Sequence, residues 1–251
     1  MTTFAARWMA GFFATAVMFA QTAAPPAGSI VGVGPFLHIV SDLDQSLAFY
    51  HDTLGLELSG PPGEHKFTDN PPVANLYGVP GRQFRAAVLK IPGSQMGIEL
   101  VQWGEARKPK AGPTAVTLML RRPGAVRTTL DDPDGFTVEV DPSVIAGAAL
   151  VIGVTDAPKA AALYEGMLGL KSDQIRFTTA GNKGLNVPFP TPGQGMLRLF
   201  VRNIDAVAAS LKSAGFSVVT TGGAPVTLPQ GQRAIILRDP NNFYLQPMEA
   251  P

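Results

Sequence analysis

Two stretches of this chain copy one another. Residues 42–56 read DLDQSLAFYHDTLGL and residues 156–170 read DAPKAAALYEGMLGL, agreeing at Asp42/Asp156, Ala48/Ala162, Tyr50/Tyr164, Leu54/Leu168, Gly55/Gly169 and Leu56/Leu170. Such self-similarity calls for a fold assembled from repeated supersecondary units. Each copy follows a short apolar run, residues 36–40 (FLHIV) and 150–154 (LVIGV), that reads as a strand. Leu43, Leu47, Tyr50 and Leu54 recur at the spacing of one helical face. Asp42, with Gln45 three residues on, predicts a capped helix start, and Gly55 predicts a left-handed stop.

A second echo lies further along. Asp132-Pro133-Asp134-Gly135-Phe136 resembles Asp239-Pro240-Asn241-Asn242-Phe243, and each precedes an apolar strand. Pro sets φ at the second turn position, and Gly or Asn accepts positive φ later in the turn. Residues 203–215 (NIDAVAASLKSAG) add a helix capped by Asn203 and stopped by Gly215, after the strand 196–201. Four units result, beginning near Pro35, Thr114, Ala149 and Met196. The second is stunted, because the span from its first strand to the Asp132 turn is too short for a helix plus a strand.

Composition narrows the chemistry. A formal charge of +1, with no basic run, gives no electrostatic footprint for nucleic acid. Cysteine is absent, which removes disulfides, thiolate metal sites and cysteine nucleophiles. Only His38, His51 and His65 are available as imidazoles. No phosphate loop, Ser-His-Asp order or zinc-protease motif occurs.

The N-terminus reads as a leader. Arg7 precedes an uncharged apolar run, residues 8–20, and small residues follow up to Pro25-Pro26. This run of about 13 residues is shorter than the ~20 that span a bilayer, so residues 1–24 are expected to be a cleaved signal peptide. The alternative is an uncleaved membrane anchor. The mature chain is expected to be exported, periplasmic or secreted. Residues 30–145 then form a first half (units one and two) and residues 146–251 a second (units three and four).

Four βαβββ-type units, FY…LGL at the first helix end and DPDG-F-x-V-E at a unit end resemble the vicinal oxygen chelate superfamily, which includes glyoxalase I, bleomycin resistance proteins and extradiol dioxygenases. The resemblance covers residues 35–249. It implies an α+β fold in which repeated units pair into open mixed-sheet barrels, one unit being truncated. It also implies a divalent metal held by side chains of the first and last strands of paired units. On that template His38, Glu99 and Glu139 fall at ligand positions. Unit two offers only Thr117 on its first strand, unit three has Ile152 in place of His38, and unit four has Leu199 there and Gln246 in place of a carboxylate. If unit one pairs with unit four, Gln246 replaces Glu139 beside the metal.

An imidazole with two carboxylates suits Zn²⁺, Fe²⁺, Mn²⁺ or Ni²⁺ and leaves coordination positions open for substrate. The resemblance thus implies a metal-dependent glyoxalase- or dioxygenase-like enzyme acting on a small molecule with neighbouring oxygens, with Glu139 as a candidate base and Tyr77 as a candidate proton donor or contact. The competing reading is a metal-free protein of the same fold that binds a small molecule. Each residue also has a plainer role open to it: His38 as a hydrogen-bonded core residue, Glu99 and Glu139 as outward positions of half-exposed strands, Tyr77 as part of a rigid turn. Arg82 and Arg85 are candidates for holding a substrate anion. Four units in one chain are compatible with a monomer or a homodimer.

Overall fold

A computed structural model describes residues 30–60, 65–104, 116–170, 173–179 and 188–251 of the chain. The expected leader, residues 1–24, lies outside them. Unit one comprises β1 (Ile30–Val40), α1 (Leu43–Leu47), β2 (Glu57–Ser59), α2 (Pro71–Leu76), β3 (Phe84–Lys90) and β4 (Ile98–Trp103). Unit two has only β5 (Val116–Arg121), β6 (Thr128–Asp131) and β7 (Thr137–Asp141), without a helix among the described residues. Unit three has β8 (Gly147–Gly153), α3 (Ala157–Ala161) and β9 (Ile175–Thr178). Unit four has β10 (Gly195–Val201), α4 (Ile204–Ser213), β11 (Ser217–Val218), β12 (Val226–Thr227), β13 (Arg233–Ala234), β14 (Leu237–Arg238) and β15 (Tyr244–Glu249).

The repeated helices form as their capping residues dictate. The Asp42 carboxylate accepts the N–H groups of Asp44 and Gln45, and the Asp156 carboxylate accepts that of Lys159. Both α1 and α3 run on into a π-helical turn, Ala48–Thr53 and Ala162–Met167. The widened turns sit at equivalent places, and each carries the repeated tyrosine inward, Tyr50 and Tyr164 being fully buried. Gly55 and Gly169 end them at φ +63° and +66°, a backbone that costs a residue with a Cβ.

Two mixed sheets result. The large one runs β11-β14-β15-β10-β1-β4-β3-β2, with the β12–β13 hairpin attached through β15; the small one runs β6-β7-β5-β8-β9. Antiparallel pairing of β1 with β10 and of β5 with β8 makes the two junctions. Unit one therefore pairs with unit four, and unit two with unit three. The halves 30–145 and 146–251 each contribute one unit to each sheet.

The main core fills the space between the sheets. Phe36, Val40, Leu100, Leu197 and Leu199 of the large sheet meet Leu118, Val138 and Ile152 of the small one, with Tyr50 and Tyr164 between them. A second apolar cluster covers the other face of the large sheet beneath α2, with Leu37, Ile39, Val101, Trp103, Met196, Tyr244 and Met248. Each central strand thus alternates between two buried faces, which is why β1 carries an almost unbroken apolar run. No helix among the described residues is long and apolar enough to cross a membrane.

Candidate functional site

The DPDG and DPNN turns and the two repeated helices that carry Tyr50 and Tyr164 lock one sheet to the other. Asp132 Oδ1 accepts the N–H groups of Asp134 and Phe136, closing its own turn, while Oδ2 accepts the Tyr50 hydroxyl at 3.1 Å. Asp239 repeats this: Oδ1 accepts the N–H groups of Asn241 and Phe243, and Oδ2 accepts the Tyr164 hydroxyl at 2.7 Å. The third turn residue also docks backbone. Asp134 Oδ2 accepts Ser41 N–H, and Asn241 Oδ1 accepts Thr155 N–H. The shared motif residues are thus tied first to assembly.

His38 belongs to this interlock. It is fully buried; its Nε2 lies 2.6 Å from Asp132 Oδ2 and its Nδ1 3.1 Å from the Gln194 carbonyl. The Phe136 ring packs 4.5 Å from the imidazole. Burial works against the imidazolium, yet the Asp132 carboxylate outweighs it and holds His38 above its ordinary value. Burial likewise opposes the Asp132 carboxylate, and the His38 charge outweighs it, holding that acid below its ordinary range. An imidazolium–carboxylate pair follows, with both ring N–H groups donating. His38, Asp132 and Asp134 each offer a ligand atom, all within 4.8 Å of one another, so the group could hold a metal.

Glu99 is not part of it. Across the parallel ladder, Glu99 pairs with Leu37 and Leu100 with His38. Residues in register share a face, so Glu99 and His38 project from opposite sides of the large sheet. Glu139 is further removed: its neighbours Val138 and Val140 enter the core, while its own side chain pairs with Arg127 Nη1 at 2.6 Å on the outer face of the small sheet. Asp141 joins Arg127 there as well. The expected set of His38, Glu99 and Glu139 does not assemble, because strand alternation sends three template positions to three different surfaces.

What Glu99 does meet is Arg198. Arg198 Nη2 lies 3.0 Å from Glu99 Oε2, and Nε donates to Gln246 Oε1 at 2.9 Å. The three occupy neighbouring strands: β4 carries Glu99, β10 carries Arg198, and β15 carries Gln246 opposite Arg198 in register. They floor a cavity of about 400 Å³ walled by Val73, Leu76, Tyr77, Phe84, Leu228 and Met248. Tyr77 stands beside Trp103 and Phe189 in an aromatic cluster. Burial, with the Glu99 charge adding to it, pushes its phenol up, so the hydroxyl stays a protonated donor. A larger groove of about 740 Å³ lies outside, between α3 and α4; its charged lining residues are Asp156 and Lys159, and Asp156 is already the α3 cap.

This floor carries the two last-strand positions that the resemblance gives to metal ligands in units one and four, Glu99 and Gln246, and the donor set does not fit a metal. The first strands of units one and four present Leu37 and Arg198 on the face that carries Glu99 and Gln246. A guanidinium between the carboxylate and the amide repels a divalent cation and already uses the carboxylate. Arg198 escaped the sequence reading; its signal is a lone charge inside the apolar run 195–201 (GMLRLFV). The replacement of Glu139 by Gln246 follows from the pairing of units one and four. Of the candidate anion-binding arginines, Arg85 is committed elsewhere: its Nε donates to Gln102 Oε1 and its Nη2 to Asp44.

No protein-family model matches the chain, and no curated protein matches it. Solved structures do. Glyoxalase I from Zea mays superposes with a TM-score of 0.53 at 16% identity, over 85% of this chain and 90% of that one. The cppA protein from Streptococcus pneumoniae TIGR4 superposes with a TM-score of 0.52 at 12% identity, over 89% of this chain and 99% of that one. The chain has the fold of glyoxalase I, with its units paired into open mixed sheets.

Proposed function

We propose that this chain, which has the glyoxalase fold, is an exported small-molecule-binding protein whose site is the open barrel of units one and four and needs no metal there. One observation carries the reading: the Arg198 guanidinium sits between Glu99 and Gln246, the last-strand residues at the positions that the resemblance assigns to metal ligands. A cavity of about 400 Å³ falls within the range typical of small-ligand sites, and its apolar wall over a few convergent polar groups is the usual design. Arg198 supplies fixed N–H donors to a ligand's oxygens. Glu99 accepts a ligand hydroxyl or amine, and Tyr77 donates from the wall.

Metal-dependent glyoxalase- or dioxygenase-like turnover is the second reading. It draws on the His38, Asp132 and Asp134 group. A metal there lies between the sheets, across β1 from the cavity, so a substrate in the cavity would not reach it.

The test is ligand screening of mature protein, chelator-treated and untreated, by ligand-observed NMR against small carboxylic, hydroxylated and amide compounds. Ligands should bind equally after chelation and be lost in Arg198→Met and weakened in Glu99→Gln. Binding or turnover that requires added metal would overturn the reading in favour of the second. N-terminal sequencing of the exported chain tests the leader; a mature start near residue 21 or 24 is expected.

A further inference from the structure

The interlock exists twice, and only one copy contains a histidine and a second acid. In units three and four, Tyr164, Asp239 and Asn241 dock helix to turn, with Ile152 where His38 stands and Asn241 where Asp134 stands. That copy closes the same backbone bonds without either residue. The mechanical task therefore requires neither the imidazole nor the second carboxylate, and both appear together in the other copy. Burying them is costly unless something answers their charge: Asp134 is 7% exposed, and its Oδ1 has no hydrogen-bond partner.

We propose that His38, Asp132 and Asp134 form a divalent transition-metal site that staples the large sheet to the small one. The ligand atoms would be His38 Nε2, Asp132 Oδ2 and the unpartnered Asp134 Oδ1. His38 comes from β1 of the large sheet, and both acids come from the turn that precedes β7 of the small one. Orientation is already provided. The Gln194 carbonyl holds the proton on Nδ1 and leaves Nε2 to coordinate, while the Tyr50 hydroxyl and the Ser41 N–H fix the two carboxylates. On binding, Nε2 releases its proton to solvent. A neutral imidazole, two carboxylates and a divalent cation then sum to zero charge. One nitrogen with two oxygens suits Zn²⁺, Co²⁺, Mn²⁺ or Fe²⁺ better than Ca²⁺, which takes an all-oxygen shell.

The test uses the full mature chain, stripped with chelator and then loaded with Co²⁺ or Zn²⁺. About one equivalent should be retained after desalting, the melting temperature should rise on loading, and Co²⁺ should develop visible absorption bands of a nitrogen–oxygen site. Asp134→Asn is the informative variant, because it installs the residue that unit four already uses and keeps an acceptor for Ser41 N–H. It should fold with a metal-free melting temperature at or above that of the stripped parent and bind Co²⁺ at least ~100-fold more weakly. His38→Gln should lose the Co²⁺ spectrum as well. No retained metal and no thermal shift with any of these ions would overturn the proposal, and so would unchanged binding by Asp134→Asn.

Discussion

Removing one hydroxyl from each repeated tyrosine should have unequal effects. In Tyr164→Phe, Asp239 Oδ2 loses its 2.7 Å donor, while Oδ1 keeps the two backbone N–H groups. Both residues are buried, so the carboxylate oxygen is left without a partner away from water. A hydrogen bond to a charged group is worth about 1.5–3 kcal/mol. In Tyr50→Phe, Asp132 Oδ2 keeps His38 Nε2 at 2.6 Å, so no buried acceptor is left without a partner and the loss falls to about 0.5–1.5 kcal/mol. At roughly 2–4 °C per kcal/mol for a chain of this size, Tyr164→Phe should lower the melting temperature by about 3–12 °C and Tyr50→Phe by about 1–6 °C. The pH dependence sharpens the test. Burial raises the folded value of Asp239 above its ordinary 3.8, while the Tyr164 hydroxyl pulls it back down. An acid raised on folding contributes stability that is fully present below its unfolded value and is lost as pH rises through the folded value. Removing Tyr164 raises the folded value further, so the penalty should be larger at pH 7 than at pH 4.5. Scanning calorimetry of both variants at the two pH values decides the matter. A Tyr50→Phe penalty equal to or above that of Tyr164→Phe, or a Tyr164→Phe penalty that shrinks towards neutral pH, would refute the reasoning.

Three further outcomes follow from the packing. Gly195→Ala places a Cβ 2.2 Å from one Phe36 ring carbon and 2.6 Å from another; relieving that overlap should cost about 1–3 kcal/mol, and Phe36→Leu in the same chain should recover part of it in a denaturant titration. Glu139→Gln should change stability by no more than ~0.5 kcal/mol and leave both metal retention and cavity ligands untouched, since Glu139 meets only Arg127 on the outer face of the small sheet. Arg198→Lys should keep a cation in the cavity yet lose the two-sided grip on Glu99 and Gln246, so NMR-detected ligands should weaken without a matching fall in melting temperature.

The repeat made most of the architecture legible. Asp42 and Asp156 as helix caps, Gly55 and Gly169 as stops, and the turns at Asp132 and Asp239 are local features, and the structure has them where their chemistry asks. Even the missing helix of unit two could be read from chain length. The candidate site was legible only as an inventory. Alternation along a strand says that His38 and Leu37 point opposite ways, and that Glu99 and Leu100 do. It does not say whether Glu99 follows Leu37 or His38. That is decided by the β1–β4 register, in which a slip of one residue exchanges the faces. Nor does sequence say which unit pairs with which, because β1 and β10 lie 150 or more positions apart in the chain and meet only in the folded sheet. Local propensity and turn chemistry act over a few residues, and they determined the elements. Which charges share a face depends on long-range register, and only the tertiary structure put Arg198 between Glu99 and Gln246 and set His38 against Asp132.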